Sequence, residues 1–203
     1  AGQVAALAGQ NARDGAVVVV HNPSGEVRAY VGGAGAGSRA PAVDMAASHR
    51  QAGSTLKPFL YSLALEKGYL TASSWLLDEP WESAVEGRGG YRPENYDQNF
   101  HGPVSLSQAL GSSLNIPAVR TLELIGVETF HHLLEKLGFA GLAPAEDYGF
   151  SLALGTADVT LLELANAYRT LANGGIWSPL TFEGKRVAGR RVMKGEAAAA
   201  ISS

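Results

Sequence analysis

"RQAGSTLKPFLYSLALEKG", Arg50 to Gly68, is the stretch on which the fold turns. Phe59, Leu60, Leu63 and Ala64 recur at helical spacing and make one apolar stripe. Gly68 supplies a C′ stop, and Pro58 falls in the first turn, where backbone N–H groups lack intrahelical partners anyway. The pattern predicts a helix from Ser54 to Lys67. Its first turn carries Ser54 and Lys57, and two readings of that turn compete. In one, Ser54 caps a core helix and Lys57 is solvated. In the other, Ser54 is a nucleophile and Lys57 its base. With 16 Ser and 5 Lys in 203 positions, chance supplies about 0.4 matches to S-x-x-K, so the spacing alone favours the cap.

Helix geometry nevertheless puts Ser54 and Lys57 one turn apart on the same face. The helix N-terminus and a nearby ammonium both favour an alkoxide, and a Lys drawn partly out of water can give up its proton and act as a base. A serine acyl-transferase needs that chemistry. A second feature is "GSSLNIPAV", Gly111 to Val119, at the junction of two helical patterns. Ser113 and Asn115 form S-x-N there. In a loop, alternate residues can face one cleft, giving a hydroxyl to relay a proton and an amide to hold a peptide group. Read alone, these two residues could equally end one helix and start the next.

Composition narrows the field. Nearly half the chain is apolar (46%) and charge is moderate (17%), enough for a sizeable core in one large domain or one and a half small ones. A net charge of −3, with no Lys/Arg-rich run, gives no electrostatic footprint for nucleic acid. The absence of cysteine excludes disulfides and thiolate zinc sites. His21, His49, His101, His131 and His132 lack metal-ligand spacing, so no metal site is expected. No apolar run approaches the roughly 20 residues that span a bilayer, and residues 1–11 do not read as a signal peptide.

Along the chain, Ala1 to Asp14 reads as a linker or helix tail. Val17 to His21 and Val27 to Val31 read as a hairpin around Asn22-Pro23-Ser24-Gly25. The valine run is apolar on both faces, as expected of a strand covered on both sides. A Gly/Ala-rich loop leads to Ser54. Thr71 to Pro103 reads as irregular, and a loop of that length is usually functional or disordered. Four helices are expected next. Leu106 to about Ser112 carries Ser105 and Gln108 at capping-box spacing, and Pro117 to Ile125 has Pro at N1. Glu128 to Leu137 follows, then Leu161 to Ala172 with a Thr160/Glu163 capping box. A short hairpin after Gly175 and the start of a further helix at "GEAAAAISS" complete the pattern.

Three stretches together carry a resemblance: "RQAGSTLKPFLYSLALEKG", "ENYDQNFHGPVSLSQALGSSLNIPAVR" and "YGFSLALGTADVTLLELANAYRTLANGG". From about Arg13 onward the chain resembles the transpeptidase domain of bifunctional class A penicillin-binding proteins, in flanks that no catalytic spacing rule demands. The superfamily carries S-x-x-K, an S-D-N-type motif and K-T-G. The resemblance implies an α+β fold of the α/β sandwich type, the β-lactamase/transpeptidase-like serine acyl-transferase fold, over residues 15–203. It implies Ser54 as the acylated nucleophile, Lys57 as its base, Ser113 as proton relay and Asn115 as ligand of the substrate amide, with no cofactor. It also implies peptidoglycan stem peptides ending in D-Ala-D-Ala as substrate and β-lactams as covalent ligands. The implied location is the periplasmic face of the bacterial inner membrane, with the membrane anchor outside this chain.

The pattern breaks at its third element. Lys185 precedes Arg-Val and Lys194 precedes Gly-Glu, so no K-[ST]-G is present. The domain is therefore expected to lack its C-terminal strands and one oxyanion donor, leaving a sheet edge and an apolar face of the Val17–Val31 hairpin exposed. Two rivals remain. A serine β-lactamase would need a Glu-activated water, for which "ELAN", Glu163 to Asn166, is the nearest pair. A non-catalytic β-lactam sensor or scaffold would use the same fold for binding alone.

Overall fold

Helix α2, Lys57–Glu66, is preceded by a 3-10 turn over Gly53–Leu56, so the expected single helix from Ser54 divides in two. In this computed structural model, which describes residues 2–10, 12, 14–35, 38, 40–83, 90–184 and 187–202, α2 is buried on more than its apolar stripe. Phe59, Leu60, Tyr61 and Ala64 are fully buried, and Ser62 is buried with them. A helix apolar all round is one enclosed by its neighbours. Each fully buried large apolar side chain stabilises the fold by about 1.5–3 kcal/mol.

The chain forms two compact units. The first draws on residues 1–51, 134–142 and 158–192. It opens with the short helix α1, Gly2–Ala6. The hairpin β1, Val17–Val20, and β2, Val27–Val31, pairs antiparallel with Val17 opposite Val31 and an irregularity between Val19 and Val20. Gly25, at φ +76°, closes its turn. Helix α7, Leu161–Ala172, lies against β1. Two short ladders complete the unit: β3, Arg50–Gln51, with β6, Asp158–Val159, and β7, Ile176–Trp177, with β8, Arg190–Arg191. The expected double cover of the valine strand is not found. Val17, Val19 and Val31 are about half exposed, because the hairpin is a two-stranded sheet among the described residues and one face stays open.

The second unit, residues 52–133, 143–157 and 193–203, holds α2 at its centre. Helices α4, Asn115–Ile125, and α8, Gly195–Ser202, pack on α2, as does the 3-10 turn Gly149–Leu154. Ile116, Val119, Leu122 and Leu152 are fully buried among these elements. Lys194 donates its backbone N–H to Glu66 Oε2 at 2.9 Å and fastens the start of α8 to the end of α2. The stretch expected to be irregular contains β4, Trp75–Asp78, paired antiparallel with β5, Gly102–Ser105. Helix α3, Leu106–Gly111, follows with Ser105 as N-cap, its hydroxyl accepting from Gln108 N. Helix α5, Val127–Lys136, and the short α6, Ala145–Tyr148, complete the list of helices described. Helix α4 begins two residues before the expected Pro117. Lys185 and Arg186, Ser203 and parts of the N-terminal tail and Gly-rich loop lie outside the described residues. No helix among the described residues is long and apolar enough to cross a membrane.

Candidate active site

The chain approaches Ser54 through a backbone clamp. Ala52 N donates to Ala157 O at 3.0 Å and Gly53 N to Gly155 O at 2.9 Å. The clamp closes only because residue 155 is glycine. Its φ is +75°, and a Cβ there would overlap the backbone of Gly53. Ser54 is then delivered to the surface in the 3-10 turn, and Lys57 N donates back to Ser54 O.

Lys57, one turn on, is fully buried. Its Nζ donates to Ser113 O at 2.6 Å, to Asn115 Oδ1 at 2.7 Å and to Ser113 Oγ at 3.2 Å. Three acceptors match the three protons of an ammonium. Burial lowers its pKa to about 8, because removal from water penalises the charged form. Among the described residues Ser54 Oγ has no hydrogen-bond partner, and neither Ala52 nor Leu56, the N-caps of the turn and of α2, supplies a side-chain cap. Ser54 is thus not a cap, and Lys57 is not solvated.

Ser113 and Asn115 come together on Lys57 from the junction of α3 and α4. Ser113 adopts φ +54°, the left-handed region that non-glycine residues rarely occupy, and both its carbonyl and its hydroxyl meet Lys57. Asn115 is the first residue of α4. Its Nδ2 donates to Glu94 O at 2.7 Å while its Oδ1 receives Lys57. The four residues singled out from sequence therefore lie in one unit, with Lys57 bonded to two of them and one turn from the fourth.

Sequence reasoning missed the shell behind them. Asp78 on β4 is fully buried and Asn95 is 4% exposed. Asn95 Nδ2 donates to both Asp78 oxygens at 2.8 and 2.9 Å, and its Oδ1 accepts from Asn115 N at 2.8 Å. His101 meets the same carboxylate through its backbone N at 3.0 Å and Nδ1 at 2.7 Å. The hydrogen bond of its ring to Asp78 raises the His101 pKa, desolvation opposes it, and the charges of Asp97 and Asp78 add to the rise. No periodicity marks these residues, because Asn95 and His101 sit on irregular backbone and Asp78 ends a strand of four residues.

The penicillin-binding protein transpeptidase domain family matches residues 15–203. The chain belongs to this family. It is 41% identical over 167 residues to penicillin-binding protein 1C of Escherichia coli (strain K12), covering 79% of this chain and 20% of that protein. Against penicillin-binding protein 1A of Neisseria cinerea it is 42% identical over 156 residues, 75% of this chain and 19% of the relative. The crystal structure of penicillin-binding protein 1A from Haemophilus influenzae matches with a TM-score of 0.79 at 30% identity, over 93% of this chain and 34% of that one. The transpeptidase domain of Burkholderia pseudomallei penicillin-binding protein 3 shares the fold, with a TM-score of 0.78 at 21% identity over 97% of this chain and 62% of that one. The expected α+β transpeptidase fold is therefore the fold observed. The chain spans about a fifth of the length of the curated relatives it matches.

The residues a β-lactamase reading would recruit have other duties in this family member. Glu163 Oε2 accepts from Thr160 N at 2.8 Å and Oε1 from Ala140 N at 3.0 Å, closing the capping box of α7. Asn166 is buried and bonded to Ser178 O and Arg169. Among the described residues no cluster of His, Asp and Glu could hold a metal ion.

Proposed function

We propose that this chain is the acylation centre of a peptidoglycan D,D-transpeptidase in which Ser54 is the nucleophile, Lys57 its base, Ser113 a proton relay and Asn115 a ligand of the substrate amide. The observation that carries the reading is the buried Lys57 Nζ, held by Ser113 and Asn115 one turn from an exposed serine. With a pKa near 8, about a tenth of Lys57 is neutral at pH 7. A neutral amine keeps two N–H donors, enough for Ser113 O and Asn115 Oδ1, the two short contacts. Its lone pair is then free on the side of Ser113 Oγ, the longest of the three, whose hydroxyl can donate to it. Ser54 and Lys57 lie one helical turn apart on one face, and the hydrogen bond between them forms on this reading as substrate arrives.

Ser54 Oγ attacks the carbonyl carbon of the penultimate D-Ala and passes its proton to Lys57. The C–N bond to the terminal D-Ala breaks, and the leaving amine takes a proton through Ser113. An amine of a neighbouring stem peptide then attacks the ester and gives up one proton to the neutral Lys57, the C–O bond breaks, and Lys57 passes that proton to Ser54 Oγ. One N–H of Asn115 Nδ2 is held by Glu94 O and the other is free for a substrate carbonyl. β-Lactams acylate the same oxygen. On this reading the site of the full-length protein works in the periplasm, where stem peptides lie.

The test is labelling of the full-length protein with a fluorescent penicillin, with the adduct located by mass spectrometry. Label on Ser54, lost in Ser54→Ala, is expected; label that survives in Ser54→Ala overturns the assignment. Rapid nitrocefin turnover would establish the β-lactamase reading instead. Stable acylation with no transfer to an amine acceptor would establish the sensor.

A further inference from the structure

Helix α4 has a start that its own sequence does not cap. Its N-cap is Leu114, which offers no side-chain acceptor, yet the first N–H groups of a helix need partners. The acceptor comes from 20 residues upstream: Asn95 Oδ1 receives Asn115 N at 2.8 Å and, more weakly, Ile116 N at 3.5 Å. We propose that Asn95 is a positioning residue, which fixes Asn115, and through it the Lys57 amine, by bolting the start of α4 to the buried Asp78 carboxylate. The inference rests on the reading of Lys57 as base to Ser54.

The orientation of the Asn95 amide is dictated by its neighbours. An ionised carboxylate only accepts, so Asp78 holds the Nδ2 side, and Oδ1 is left to face α4. Nδ2 also donates to Asn99 O at 2.8 Å, which closes the loop on itself. The same loop grips Asn115 a second time, through Glu94 O. Asn115 is thereby fixed at its backbone by one loop residue and at its side chain by the residue before it, and its Oδ1 accepts from Lys57 Nζ. Asn95 and Asp78 are both desolvated, so removing one strands the other, which is the costly case for a buried polar pair. His101 is the ion-pair partner of Asp78 among the described residues, with Asp97 beyond it. The Tyr61 hydroxyl of α2 feels the same carboxylate, its pKa raised first by burial and then by Asp78.

A merely structural clip would hold the loop without setting the protonation of Lys57, and that separates the two roles. In the full-length protein, Asn95→Leu keeps the volume and removes both hydrogen-bonding ends. The acylation rate constant for a fluorescent penicillin is expected to fall about tenfold to a hundredfold, since a small misplacement at a reacting centre has effects of that size. The initial affinity should change little. The exchange Asp78→Asn with Asn95→Asp restores donor against acceptor between the two residues: residue 95 again accepts from the Asn115 N–H and residue 78 again accepts from His101, while the bond to Asn99 O is lost. It also brings the negative charge one hydrogen bond closer to Lys57, which favours the ammonium. The double variant should recover most of the rate, with the pH midpoint of acylation moved upward. An NMR titration of Lys57 in this chain should show the same upward shift, whether or not Ser54 reacts. If the double variant does not fold, the same NMR titration of Asn95→Leu carries the test: with Asn115 Oδ1 no longer held against Nζ, the ammonium loses a fixed acceptor and the Lys57 midpoint should fall. An unchanged Lys57 midpoint, or wild-type acylation in Asn95→Leu, overturns the proposal. Loss of Ser54 labelling in the wild type overturns the transpeptidase reading alone.

Discussion

Two helix starts in this protein are built on opposite principles. Helix α7 is capped by its own sequence: Thr160 accepts from Glu163 N and Glu163 reaches back to Thr160 N, two residues three positions apart satisfying one another. Helix α4 starts at Asn115 with no local cap, and its acceptor is borrowed from Asn95, itself bound to Asp78 on a strand. The helix that only supports the fold is self-sufficient. The helix that presents Asn115 to Lys57 has its start determined by parts distant in sequence, which ties the site's geometry to the surrounding packing.

The largest effect is expected where the borrowed start meets the amine. Lys57→Ala should slow acylation of Ser54 by about a hundredfold to ten-thousandfold, the usual range for general-base help, and it leaves Ser113 O and Asn115 Oδ1 without their donor. The pH profile gives the sign. The base is the neutral amine and its pKa is about 8, so acylation should climb from pH 6.5 and level off above about pH 8. Stopped-flow labelling measures both. A rate flat across that range would remove Lys57 from the mechanism and, with it, the reason for the elaborate start of α4.

Next is the clamp that delivers Ser54. Gly155→Ala puts a side chain at positive φ, which costs about 1–3 kcal/mol by itself, and drives a methyl into the Gly53 backbone. Denaturant unfolding should show at least that loss, and labelling per folded molecule should drop as the turn shifts. Wild-type stability would mean that the clamp is looser than the geometry describes.

A smaller effect is expected at the self-sufficient start. Thr160→Ala removes a cap worth about 1 kcal/mol and should leave the labelling rate per folded molecule unchanged. A change in that rate would show that the two helix starts are not energetically separate.

The same contrast explains what could be read from sequence. The Leu161–Ala172 helix was legible to the residue, because a capping box and a glycine after the last turn are local signals. The start of α4 was placed two residues late, at Pro117, because Asn115 carries no cap signal of its own. Ser54, Lys57, Ser113 and Asn115 were legible as motifs. Asn95, Asp78 and Gly155 were not, since their meaning lies in side-chain bonds and a backbone crossing that join residues 17 to about 100 positions apart. The Ser54–Lys67 helix was found but mis-phased at its head, where the chain takes up a 3-10 turn that brings Ser54 to the surface. The valine strand was misread only in its composition, which reports what a surface could bury and not what covers it; the expectation of an exposed apolar face on this hairpin agrees with the exposure of Val17, Val19 and Val31.

The smallest effect concerns the far end of the borrowed cap, where His101 binds Asp78. The His101 pKa is raised in the folded protein, first by its hydrogen bond with Asp78, so the folded state holds this proton more tightly than the unfolded chain. The stabilisation is therefore fully present below the unfolded value of about 6.5 and is lost as pH rises through the folded one. Part of it survives, because a neutral imidazole with its proton on Nδ1 still donates to Asp78 Oδ2. Urea unfolding of the wild type and of His101→Gln, compared from pH 5.5 to 8, should show a stability gap that narrows with rising pH. For Thr160→Ala the gap should stay level, since the Thr160 hydroxyl does not titrate. A His101 gap that widens with pH would mean that Asp78 holds the imidazole in its neutral form, and the electrostatic anchor assigned to the Asn95 cap would have the wrong sign.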